Sequence, residues 1–520
     1  MKKIFALLMA LCMTLCIVPS AVFADESGAG ALDRITVSIN KDDSVLDDEM
    51  HVFSDEEKIS IASGAYRTEA PQFRPSDGPN AGSSAAFDTV EEALTYLREH
   101  MALRDASISV PCNVGSGLDS NSINNIATYL FYSAFDHTGV PDQGDYLLWH
   151  LDSYYYPSAS YSGEILTVTF RFNFRTTAEQ ERVVGAEIDR VLGTLDLEGK
   201  TDYKKFLAVY EYMTHNITYD YTSSDMMKHT AYAALINKTA VCQGYALLLY
   251  RMLLTIGIDC RFISGYGGDA ENGGAHAWNI VRLGNYYYNV DSTWDASGIQ
   301  VYVNGVYDHT EYPNTYMLRC DANFPLHQRD EQYATSEFYE AYPMSPRDFD
   351  PQTDDVEYIA LVTEEDGKET YYANMSDAVN AAPDNSSVTL LKDITEHGFE
   401  HRTDRNISID LGGHTYTIDE YGSIKISAGL VIMFNGTIDA SCSQYALINS
   451  VDLGLFSVSI LAEDCFSAAI SNQGTLLLDD VYIDASCAIK NEGDLLLSNT
   501  SAEEVALLSG SIGVFPGSEI

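Results

Sequence analysis

One string of residues near the C-terminal end occurs twice. Ile470-Ser471-Asn472-Gln473-Gly474-Thr475-Leu476-Leu477-Leu478 returns 19 residues later as Ile489-Lys490-Asn491-Glu492-Gly493-Asp494-Leu495-Leu496-Leu497, and Ile448-Asn449 reads as a degenerate earlier copy. A period of this kind builds copies that bury their apolar rows only by stacking on one another. Upstream, short strand patterns recur at Val388 to Leu391, Ile407 to Leu411 and Leu430 to Phe434, while helical periodicity nearly vanishes. The expectation for residues 369–520 is therefore an all-β solenoid of stacked rungs.

At 520 residues the chain exceeds what one hydrophobic core usually organises, so several domains are expected. The punctuation divides it. Ser76-Asp77-Gly78-Pro79-Asn80-Ala81-Gly82-Ser83-Ser84 reads as a linker, and Pro343, Pro346 and Pro351 mark a second boundary. The expected order is a signal peptide at 1–24, an N-terminal segment and linker at 25–85, and a small α+β domain at 86–175. A second α+β domain at 176–342, a linker at 343–368 and the solenoid at 369–520 follow.

Lys2 and Lys3, the apolar run from Ile4 to Val18 and the small-residue end Val22-Phe23-Ala24 are the three parts of a secretory signal peptide. The expectation is a secreted, extracellular protein that begins near Asp25 and has no membrane span. Cys12 and Cys16 each follow a leucine, which does not suit a lipid-anchor cleavage site. The 76 acidic and 30 basic residues give a formal charge of -46, which repels phosphate backbones and excludes nucleic acid as a partner. Beyond the signal segment lie Cys112, Cys242, Cys260, Cys320, Cys442, Cys465 and Cys487, an odd number that leaves at least one free thiol. Their wide spacing offers no zinc motif, so no metal is expected.

The middle of the chain carries the chemistry. In the preface, the small domain at 86–175, Leu166, Val168, Phe170, Phe172 and Phe174 alternate as a half-buried strand does. Thr176 with Glu179 suggests a capping box for a helix bearing Val184, Ile188, Val191 and Leu192 on one face, and Phe206, Val209, Tyr210 and Met213 mark another helix. Val241 to Leu254 is a continuous apolar helix stopped by Gly257, with Cys242 in its first turn. A cysteine's pKa falls when its sulfur sits at a helix N-terminus beside an imidazolium, and the helix position is legible here.

Strand patterns follow at Arg261 to Tyr266, Ala275 to Leu283 and Tyr286 to Ser292. Gly284-Asn285 between the last two favours a two-residue hairpin of the Gly-first type. In that register Trp278 lies opposite Asp291, and His276 becomes a diagonal neighbour of Asp291 on the same face. A carboxylate there would orient the imidazole and leave its other nitrogen for a thiol.

Ala240-Val241-Cys242-Gln243-Gly244-Tyr245-Ala246, Gly274-Ala275-His276-Ala277-Trp278-Asn279 and Tyr288-Asn289-Val290-Asp291-Ser292-Thr293-Trp294-Asp295 together resemble the three motif blocks of the bacterial transglutaminase-like superfamily. The resemblance covers roughly residues 176–325. It implies a papain-like α+β core with the cysteine on a helix, the histidine and aspartate on adjacent strands, and Cys242, His276 and Asp291 as catalytic residues. Gln243, Trp278 and Trp294 then fall as pocket or oxyanion neighbours, with packing as their alternative role. Tyr232 lies in a segment resembling the family's lead-in to the cysteine helix. Residues 369–520 resemble, less specifically, the right-handed β-helix of pectate-lyase-like surface proteins.

The expected function is acyl transfer at amide bonds of a protein or peptide substrate through a thioester on Cys242. Water as acceptor makes a peptidase or amidase, and a lysine amine makes a crosslinker. No cofactor is required, because the thiolate supplies its own nucleophile. The alternative is a catalytically silent cell-envelope binding or adhesion protein. In either case the β-helix is the expected glycan-facing module.

Overall fold

The computed structural model describes residues 33–36, 50–52, 54–62, 70–73 and 86–518, apart from 270, 304–305, 420, 441–443, 464–466, 503–504 and 516. The expected signal peptide, the linker at Ser76–Ser84, Cys442 and Cys465 lie outside the described residues.

The preface is a hairpin with helices against it. Leu151–Ser162 and Ile165–Phe174 pair antiparallel, and Ile108–Asn113 joins the second strand's free edge. Leu166, Val168, Phe170 and Phe172 all point into the core, as their alternation predicts, while Phe174 is only half-buried. This core runs on without a break into the next segment, because Val184, Phe206, Leu247 and Ile280 belong to the same cluster.

Helix Ala178–Leu192 is capped one residue later than expected. Thr177 is the N-cap and exchanges the two capping-box bonds with Gln180. Thr176 is freed for another task, donating at 2.6 Å to Glu181. Buried Glu181 also accepts from Tyr146 and pairs with Arg104 and with Arg251 of the cysteine helix. A buried carboxylate with this many donors fixes geometry more than it adds stability, and it locks the preface to the element that carries the cysteine.

Helix Cys242–Thr255 is buried nearly all round, and Gly257 takes a left-handed φ of 79° just past its end. Four antiparallel strands lie beside it, in the order Tyr286–Val290, Gly274–Leu283, Cys260–Gly267 and His327–Arg329. The hairpin register is the expected one, running from Tyr286 opposite Leu283 to Val290 opposite Asn279. Gly284 has φ 61°, and Asn285 is not among the positive-φ residues, which is the Gly-first turn. The last strand is shorter than the pattern suggested. It ends at Val290, and Asp291 is the N-cap of a short helix, Ser292–Asp295.

A second apolar cluster spans Ala360 to Ala502. Its strands pair mostly in parallel, and they do so in the register of the sequence repeat: Ile470 lies beside Ile489, and Leu476 beside Leu495. Asn449, Asn472 and Asn491 fall in line within it, fully buried. Each side-chain amide donates to the next, Asn449 to Asn472 at 2.7 Å and Asn472 to Asn491 at 2.6 Å. Buried amides survive only where partnered, so this ladder ties one copy of the repeat to the next. Among the described residues no helix is long and apolar enough to cross a membrane.

Candidate active site

The N-terminus of the cysteine helix is held from outside. Two two-residue strands, Thr218–Tyr219 and Thr239–Ala240, pair in parallel and deliver the chain to Val241. The Val241 amide donates to the Lys228 carbonyl at 3.0 Å. Gly244 is essential to this approach: a Cβ there would stand 2.8 Å from the Ala240 Cβ and 2.9 Å from the carbonyl oxygens of Lys228 and Thr230. Val241 supplies no side-chain cap, so the first amides of the helix are open toward Cys242, its first residue. Cys242 is half-buried, with its side chain beside both the His276 ring and the Tyr219 hydroxyl.

His276 Nε2 donates to Asp291 Oδ2 at 2.8 Å, which leaves Nδ1 for the thiol. Asp291 is fully buried and accepts hydrogen bonds on both oxygens. Oδ1 takes the amides of Thr293 at 2.8 Å and Trp294 at 3.2 Å, and Oδ2 takes His276 and, at 3.0 Å, His327 Nε2. Burial works against this carboxylate's charge, but the two histidines outweigh it and hold the pKa down at about 2. Burial also works against the His276 imidazolium. The Asp291 and Cys242 side chains overcome it and push the ring up to about 10.

The other expected residues are placed differently from one another. Trp294 is half-buried, with its ring 5.3 Å from that of His276 and tilted by 30°. Trp278 is 2% exposed and its indole N–H donates to Asn289, so it backs the histidine as packing. Gln243 is turned away from an oxyanion position, because its amide donates to the Trp149 carbonyl at 2.8 Å. Tyr232 is half-buried against the core ahead of a π-helical turn, Ala233–Asn237. No hydrogen bond or ring contact joins it to the other site residues among those described.

Two residues of the site were not expected from sequence. Tyr219 stands beside Cys242. Burial and then the cysteine's charge push this phenol up to about 12. His327 is the second donor to Asp291, and its side chain is 1% exposed. Tyr219 lies in a strand too short for any periodicity, and His327 lies in a loop-rich stretch past the motif blocks.

Among the described residues, His276, Asp291 and His327 form the one group whose potential metal-ligand atoms lie within 4.8 Å of one another. A zinc ion with bonds of about 2.0–2.1 Å holds its ligand atoms roughly 3.3 Å apart around a shared centre. Here Asp291 Oδ2 itself is the centre, at hydrogen-bond distance from both rings. The trio is arranged as a proton-bearing chain.

Residues 192–292 match the transglutaminase-like superfamily, a stretch that includes Cys242, His276 and Asp291. The chain carries a transglutaminase-like domain. Kyphoscoliosis peptidase from Homo sapiens is 30% identical over 120 residues, covering 21% of this chain and 18% of that protein. The Mus musculus protein of the same name is 27% identical over 157 residues, covering 28% and 24%. The chain thus spans less than a quarter of the length of these curated relatives. A crystal structure of a TGase shares 14% identity over 38% of this chain and 57% of its own, with a TM-score of 0.21. A transglutaminase-like domain is consistent with a cysteine protease or acyltransferase, and within it Cys242 lies beside His276, which bonds Asp291.

Proposed function

We propose that this protein is a secreted cysteine enzyme that acts on amide bonds of proteins or peptides. The observation that carries the reading is the chain of contacts from the Cys242 thiol through the His276 ring to the buried Asp291 carboxylate. Cys242 Sγ attacks the amide carbonyl, and its proton rests on His276 Nδ1. The C–N bond then breaks, His276 gives that proton to the leaving amine, and a thioester remains on Cys242. Water or a second amine attacks the thioester with its proton passing to His276, and the thiol is restored. Negative charge developing on the carbonyl oxygen would be met by the N-terminus of the cysteine helix, beside the Tyr219 hydroxyl. No cofactor enters these steps.

For the C-terminal region the reading is a right-handed β-solenoid of the pectate-lyase-like kind, supported by parallel pairing in the register of the repeat and by the asparagine ladder. Its place in the reading is a stalk or glycan-contacting module on an extracellular enzyme, with the domain limits stated from sequence.

The test is mass spectrometry of casein incubated with the enzyme and a biotinylated primary amine. The native chain should cleave or deamidate amides or attach the amine, and Cys242→Ala should do none of these. Equal activity in Cys242→Ala would overturn the reading.

A further inference from the structure

We infer that His327 is the counter-charge of the site: it balances Asp291, so that a thiolate and an imidazolium can coexist beside a buried carboxylate. The role rests on the thiol-enzyme reading above and adds a positioning residue to it.

The hydrogen bonds of His327 fix its charge. His327 Nε2 faces Asp291 Oδ2 at 3.0 Å, and Nδ1 faces the Pro325 carbonyl oxygen at 3.0 Å. A carboxylate and a carbonyl oxygen can only accept. Both bonds are made together only when both ring nitrogens carry hydrogen, which makes the ring a cation. Its surroundings hold it in that orientation. Phe324 stacks on it at 3.9 Å, and Trp294, Trp278 and Tyr316 stand at 4.3, 5.2 and 5.4 Å.

Charge counting gives the cation a purpose. In the reactive state Cys242 and Asp291 are negative and His276 is positive, so one negative charge is left over. Asp291 is wholly buried and the His276 side chain is 8% exposed, and an unbalanced charge in such a place is costly. The remaining polar neighbours do not cancel it. Tyr210, from helix Asp202–Asn216, bonds the Asp291 carbonyl oxygen and Asp295, while Tyr316 gives its amide to Asp295. Asp295 adds an acid, though burial pushes its carboxyl up toward the neutral form. Tyr219, beside Cys242, is kept a neutral phenol by burial. Arg329, on the same strand as His327, is engaged with Asn289 and Asp321. With His327 as the cation the count returns to zero. The ring centroids of His276 and His327 are 5.5 Å apart, and the shared carboxylate oxygen between them offsets their repulsion.

His327→Gln separates charge from hydrogen bonding, since the amide can still donate to Asp291 but is neutral. Iodoacetamide labelling of Cys242 near pH 6 should fall about tenfold in this variant, the size of a change of ~1 unit in the thiol's acidity. His327→Lys should recover part of the loss. An unchanged rate in a folded His327→Gln variant would overturn the inference. Nitrogen-15 NMR of the native chain tests it without any variant. Both His327 ring nitrogens should carry hydrogen at neutral pH, and a single protonated nitrogen would overturn the inference. Native Cys242 that labels no faster than a free thiol would instead sink the thiol-enzyme reading, so the two failures can be told apart.

Discussion

His276 and Asp291 meet at 2.8 Å although they sit on different kinds of element, one in the strand Gly274–Leu283 and the other capping the helix Ser292–Asp295. Folding moves both pKa values, and the linkage has opposite signs for the two groups. Asp291 falls from 3.8 to about 2, so its contribution to stability is present above about pH 4 and lost as pH falls toward 2. His276 rises from 6.5 to about 10, so its contribution is full below about pH 6.5 and lost as pH rises through 10. The difference in Tm between the native chain and His276→Gln should therefore be largest between about pH 4 and 6.5, shrink as pH rises from there toward about 10, and be lost above it. Differential scanning fluorimetry across this range checks it, and a gap that widens with alkaline pH would contradict it.

Asp291→Asn should separate orientation from reactivity. The amide keeps the size of the carboxylate but removes the partner of the imidazolium, so turnover should drop on the order of 10² to 10⁴-fold. Alkylation of Cys242 should continue, because His276 is still present. Steady-state turnover measured beside alkylation kinetics shows whether the two separate.

Gly244→Ala should dislodge the start of the cysteine helix. The added methyl meets backbone oxygens at 2.9 Å, which cannot swing away as a side chain can. A cost of about 1–3 kcal/mol is expected for such overpacking, with loss of turnover beyond what the lost stability explains. Urea unfolding and activity on the same preparation give both quantities.

Tyr219→Phe removes one hydroxyl beside Cys242 and leaves the tilted ring contact with Tyr221, whose centroid is 4.7 Å away. If that hydroxyl donates to the developing oxyanion, kcat should fall by roughly 10²-fold with KM little changed. A rise in KM alone would assign Tyr219 to substrate contact instead.

What could be read from the chain depended on how local the signal was. Cys242 is legible because one apolar run makes its helix, and the meeting of His276 with Asp291 follows from a two-residue turn that sets register. The parallel pairing of Ile470 with Ile489 is legible as a sequence repeat. Other features were out of reach for physical reasons. The end of the strand at Val290 is decided by the Asp291 side chain, which captures the amides of Thr293 and Trp294 and starts a helix where apolar alternation alone would continue the strand. Gln243 was drawn toward Trp149, a residue of the preface far away in sequence. His327 reaches Asp291 only because the strand His327–Arg329 adds to the edge of Cys260–Gly267, a long-range pairing that no local pattern announces.

The measurement closest to the central claim is the iodoacetamide labelling rate of Cys242 near pH 6, in the native chain and in His276→Ala, followed by peptide mass spectrometry. Cys260 serves as the internal control, since its burial pushes the thiol far above the ordinary range. The account predicts that native Cys242 labels at least about tenfold faster than a free thiol at this pH, that Cys260 stays unmodified, and that His276→Ala removes the advantage. A native Cys242 that labels no faster than a free thiol, with a rate indifferent to His276→Ala, would contradict it.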